Sequence, residues 1–156
     1  MRVFAATAFL VALALVIGCG SSDDSTPVAC LEGPDAYQQA LKAAPGEVLL
    51  GDETLISECL TRNQSSGDIA QVGEAMIETA TELNAEARDE PGGAANLQLG
   101  YLIGAAARGA QESEGIHANL MRRLLVSARF APDKQTPPPA YLRTLGKGAR
   151  AGHADG

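Results

Sequence analysis

Apolar residues recur at intervals of three and four along most of this chain, and the strict alternation of a strand is nearly absent. The clearest run covers residues 68–88. Ile69, Val72, Met76, Ala80, Leu83 and Ala87 share one side of a helix there, in a stripe about 80° wide at about 100° per residue. Ser65, with Asp68 three residues on, makes a weak capping box, and Asp89-Glu90-Pro91-Gly92-Gly93 ends the run. A second stripe starts near residue 94 with Leu99, Leu102, Ile103, Ala106 and Ala110. Its flanks are small, with Gly100, Gly104 and Gly109 among alanines. Each glycine costs a helix about 1 kcal/mol against alanine, a cost that close approach of a neighbouring helix offsets. The Gly100-x-x-x-Gly104 spacing is that of helix pairs in membranes, but Arg108 and Glu112 make the segment too polar to span.

Leu120, Met121, Leu124, Leu125 and Ala128 continue the pattern over 116–130. Leu99, Ile103, Ala106, Ala110, His117, Met121, Leu124 and Ala128 keep one phase across Gly115, so 94–130 reads as one kinked helix or as two. Upstream, Gly33-Pro34-Asp35 starts a short helix that Pro45-Gly46 stops, and Asp52 caps another over 53–61. Downstream, residues 132–145 read as a Pro-rich linker with a short helix at Tyr141, Leu142 and Leu145. Residues 146–156 read as a disordered tail. The expected fold is all-α, a small bundle of four or five helices, with a helical domain over 30–131.

The first residues have a different pattern. After Arg2, residues 3–17 are apolar except for Thr7. A bilayer-spanning helix needs roughly 20 residues, whereas a basic start and a short apolar run fit an export signal. The run ends in Val16-Ile17-Gly18-Cys19, which resembles the lipobox of bacterial lipoproteins. The resemblance covers residues 1–24 and implies cleavage before Cys19, with diacylglycerol on its sulfur and acylation of its amine. It also implies a protein held on a bacterial membrane and facing outside the cytoplasm. Two or three acyl chains exceed the marginal hold of one. Residues 1–18 are then the signal, and Gly, Ser and Asp make 19–29 a flexible tether.

Lipidation of Cys19 changes the cysteine count. Of three cysteines, Cys30 and Cys59 remain, and an exported pair favours a disulfide over two free thiols. Such a bond closes a loop of about 30 residues, worth roughly 3.5 kcal/mol. The 138 residues after the signal suit one domain. Only 4% of the whole chain is aromatic and none is Trp, so Leu, Ile, Val, Met and Ala are expected to build the core.

The net charge of −7 is uneven. Residues 19–115 hold 17 acids and 4 bases, a balance of −13, and residues 116–156 hold 2 acids and 7 bases, a balance of +5. The basic part either meets an anionic lipid or polymer or packs beside the acidic helices, and packing is the simpler expectation. With pI about 4.7 and no aromatic residues interleaved among the bases, nucleic acid is not an expected partner.

Candidate chemistry is sparse. Glu74, Glu78, Glu82 and Glu86 lie four apart, opposite the apolar stripe, which marks a solvated face. Glu114 and His117 have the Glu-x-x-His spacing of di-iron bundles, but the motif occurs once, so no metal is expected. No nucleophile elbow, phosphate loop or zinc motif is present. The expectation is a non-enzymatic protein without a cofactor, binding an unidentified envelope protein or small ligand. The alternative is a helical bundle that binds a small molecule or metal ion as an accessory of an envelope system. His117, Glu114, Gly100 and Gly104 would then line its groove. An enzyme would require carboxylates to converge on His117.

Overall fold

A computed structural model describes residues 25–130 and 135–156 of the chain. The signal, Cys19, the tether up to residue 24 and Pro132 lie outside these residues. The described chain is an all-α bundle. Its helices are α1 (Pro34–Leu41), α2 (Ser66–Asp89), α3 (Ala94–Glu112), α4 (Ala118–Ser127) and α5 (Pro139–Asp155). A hairpin of two short strands, β1 (Leu49–Leu50) and β2 (Thr54–Leu55), lies between α1 and α2. The strands run antiparallel, with Leu49 opposite Leu55 and Leu50 opposite Thr54.

The hairpin replaces the start of the helix expected over 53–61. Gly51 and Asp52 have φ of +55° and +68°, so they reverse the chain in the left-handed region. Asp52 therefore serves a turn rather than a cap. A 3₁₀ turn, Ile56–Cys59, is all the helix that follows. It brings Cys59 to Cys30, and the two form a disulfide with a Cα–Cα distance of 5.5 Å.

The longest helix starts where the cap signal placed it. Ser65 Oγ accepts the Asp68 N–H at 3.1 Å. Val72, Met76, Ala80, Leu83 and Ala87 are buried as the stripe requires. Residues 94–130 resolve into two helices. Glu114 and Gly115, with φ of +56° and +89°, break the run between α3 and α4.

Two further expectations are corrected. Residues 146–155 are helical, forming most of α5 rather than a disordered tail. This helix lies along α3 and buries that helix on a second side, so Tyr101, Gly104 and Ala105 are as enclosed as Leu99 and Leu102. The core also includes aromatics. Tyr37, Tyr101 and Tyr141 are among its largest enclosed side chains. Two of them place their hydroxyls on partners. Tyr37 donates to the Cys30 carbonyl at 3.1 Å, and Tyr141 donates to Asn84 Oδ1 at 3.1 Å. Burial pushes all three phenols above their ordinary pKa.

Candidate functional site

The small-sided face of α3 is the first place the sequence marks for a ligand. It is filled by α5. A β-carbon added at Gly100 would stand 2.2 Å from the Leu145 carbonyl oxygen, and one at Gly104 would stand 2.1 Å from that of Ala149. The relation is mutual. A β-carbon at Gly148 would meet the Leu97 oxygen at 2.0 Å, and one at Gly152 the Tyr101 oxygen at 2.1 Å. Two Gly-x-x-x-Gly rows thus face each other, and backbone packs on backbone. The glycines that weaken each helix are what let the pair close. The groove expected beside Gly100 and Gly104 is a helix–helix contact within the chain. Arg108 fastens its far end, donating from Nη1 to the Ala154 carbonyl at 3.0 Å and the Gly156 carbonyl at 3.3 Å. A cation there suits a helix C-terminus.

The second place is the turn that holds Glu114 and His117. Gly109 lets α3 approach the 3₁₀ turn, where a β-carbon would meet the Ser57 oxygen at 2.3 Å. Arg62 then caps α3. Its Nε donates to the Glu112 carbonyl at 2.8 Å, and its Nη1 lies 3.3 Å from Glu114 Oε1. The Glu114 side chain is 75% exposed. His117 is buried at the N-terminus of α4, with Nε2 3.2 Å from the Thr61 carbonyl oxygen. A carbonyl only accepts, so the neutral ring carries its proton on Nε2. Its Nδ1 has no hydrogen-bond partner among the described residues, and neither do Thr61 Oγ1 and Gln64 Oε1.

Glu114 and His117 therefore do not converge. The Glu-x-x-His spacing aligns two side chains only on a helix, and here it falls on a left-handed turn. The observed work of His117 is to tie the first turn of α4 to the loop after Cys59. A cleft of about 590 Å³ opens nearby, lined by Ser25, Pro27, Ser57, Glu58, Leu60, Thr61, Arg62 and Glu112. His117 is not part of its wall. Among the described residues no group of three or more His, Cys, Asp or Glu is placed to hold a metal ion. Glu74, Glu78, Glu82 and Glu86 are exposed along α2, as a solvated face should be. Gln38 Nε2 donates to Glu82 Oε2.

The basic charge of the C-terminal part gathers on the outer surface at α4 and just after it. Arg122, Arg123 and Arg129 are exposed there, and Leu125 and Val126 are 53% and 51% exposed between them. Packing beside acidic helices was expected to absorb these charges. The helix does pack on α2, with Gly73 against Leu120, and Asn84 donates to the carbonyls of Ser127 and Arg129 at 2.8 and 2.6 Å. Yet among the described residues none of the three guanidiniums has a carboxylate within 4.0 Å. The legible signal was an Arg-Arg pair directly before Leu-Leu-Val on a helix too short to bury all five.

No family model, curated protein or solved structure matches this chain. Among the described residues, no helix is long and apolar enough to cross a membrane.

Proposed function

We propose that the mature protein is a lipid-anchored helical domain, held through Cys19 outside the cytoplasm, with a non-enzymatic binding or envelope-interaction role. The Cys30–Cys59 disulfide carries this reading. It takes two of the chain's three cysteines and leaves Cys19 alone at the end of the apolar run. It also suits an oxidising compartment, as export provides. The structure offers further support. The glycine face that suggested a ligand groove is occupied by α5, and His117 is committed to a backbone carbonyl. Both places the sequence marks for a ligand are thus taken up by packing within the chain, which supports action through the outer surface.

Metabolic labelling with palmitate tests the anchor. The expected result is a labelled chain whose mature mass starts at Cys19, with the label lost in Cys19→Ser. A Cys19→Ser chain that is cut normally and still partitions with membranes would overturn it.

A further inference from the structure

Arg122 and Arg123 of α4 and Arg129 just after it, which have no carboxylate partner among the described residues, border a defined feature. Two depressions, about 260 and 340 Å³, adjoin where α2 meets α4, and both are lined by Val126 and Ser127. Arg122 and Arg123 border the first, and Arg88 and Arg129 border the second. Among the described residues no acidic side chain lines either one. Leu125 and Val126 stand half exposed beside them. Four guanidiniums around an apolar centre match the boundary of an anionic bilayer, where phosphate lies above acyl chain. Arginine suits such a site because its planar fork binds phosphate through paired donors.

The acidic row of α2 borders this face on one side and turns away from it towards the C-terminal end of the helix. At about 100° per residue, Glu82 and Glu86 project about 140° and 180° away from Ile77, which lines the groove, and Glu78 and Glu74 project about 100° and 60° from it. The face is also within reach of the anchor. The described chain starts at Ser25, and Thr26 Oγ1 donates to Asp68 Oδ2 at 3.0 Å, at the first turn of α2. Ser25 lies six positions after Cys19, a reach of at most about 20 Å. Along α2, Ile77 lies about 14 Å from Asp68. Cys19 can sit in the bilayer while α4 lies on it.

We infer that this arginine-rimmed face of α4 and α2 docks on anionic phospholipid and orients the domain against the membrane that holds it. The inference rests on the anchored reading for its geometry, but its chemistry is read separately. The chain contains no Trp, so a single introduced one reports alone. The full chain with Leu125→Trp, and a second with Glu86→Trp, are placed on phosphatidylcholine vesicles with and without phosphatidylglycerol. Flotation with the neutral vesicles reads the anchor, and the emission shift caused by phosphatidylglycerol reads the face.

The expected result is a blue shift for Leu125→Trp on anionic vesicles, with none for Glu86→Trp. Each arginine near such a surface changes the docked-to-free ratio about fivefold. Arg122→Gln, Arg123→Gln and Arg129→Gln together should therefore reduce it by roughly a hundredfold, and 1 M salt should weaken it as the Debye length falls to about 3 Å. An unchanged emission on anionic vesicles overturns the proposal. So does a shift that survives the triple replacement, or one that grows with protein concentration without lipid, which would mark self-association instead.

Discussion

Gly104 of α3 lies so close to Ala149 of α5 that a β-carbon on the glycine would stand 2.1 Å from the alanine's carbonyl oxygen. The obstacle is backbone, which cannot rotate aside. Gly104→Ala should therefore separate the helices. Overpacking costs about 1–3 kcal/mol, and the upper half of that range is expected here despite the gain in helix propensity. Gly146→Ala is the control, because its β-carbon would meet only Arg150 Nη1, at 3.5 Å. It should be neutral or stabilising by up to about 1 kcal/mol. Urea unfolding of both variants checks the contrast, and equal midpoints would contradict the close packing.

Replacing both Cys30 and Cys59 by alanine should cost about 3–4 kcal/mol, given the sequence separation of 29. The loss should appear as a lower urea midpoint. A midpoint matching that of the oxidised parent would mean that the covalent link does not constrain the unfolded chain.

Asn84 joins three helices. It donates to the carbonyls of Ser127 and Arg129 at the end of α4, and its Oδ1 accepts from Tyr141 on α5. Asn84→Ala removes all three bonds and leaves the Tyr141 hydroxyl only the Ala128 carbonyl at 3.5 Å, and it should cost about 2–3 kcal/mol. Tyr141→Phe should cost about 1 kcal/mol. The double variant should lose less than the sum, because the two share a bond. Strict additivity in the cycle would remove the proposed network.

Alkaline pH should unfold the protein through its phenols. Burial raises the folded-state pKa of Tyr37, Tyr101 and Tyr141, whereas an unfolded tyrosine titrates near about 10. Above that pH the unfolded chain has lost protons that the folded chain keeps, so stability falls as pH rises. The contribution is fully present below about pH 10. Tyr37→Phe should make the alkaline decline shallower even though it lacks the bond to the Cys30 carbonyl. Unfolding free energies measured at several alkaline pH values check this, and an unaltered slope would contradict it.

What the sequence made legible was whatever repeats over several turns. Val72, Met76, Ala80 and Leu83 are spaced for one buried face, and Ser65 starts the helix that carries them. The cysteine pairing followed from counting. The hairpin at 49–55 escaped because two-residue strands are too short to show a period. Helix α5 escaped for a different reason. Gly146, Gly148 and Gly152 lower helix propensity, and only a partner with matching glycines repays that cost. Gly148 and Gly152 carried the same i, i+4 spacing as Gly100 and Gly104, so the match was present as two halves far apart in sequence. At the candidate site the spacing and the geometry part company. The spacing of Glu114 and His117 has chemical meaning only on a helix, and the left-handed pair Glu114-Gly115 removes the helix.

The disulfide also sets a path for load. Residues 31–58, which include α1 and the hairpin, form a closed loop between Cys30 and Cys59. A pull on the chain before Cys30 crosses two sulfur atoms and continues from Cys59 toward α2. The loop is bypassed and bears none of that tension. A domain restrained at its N-terminal end can thus be tugged, by drag or by a partner, without its first helix being drawn out.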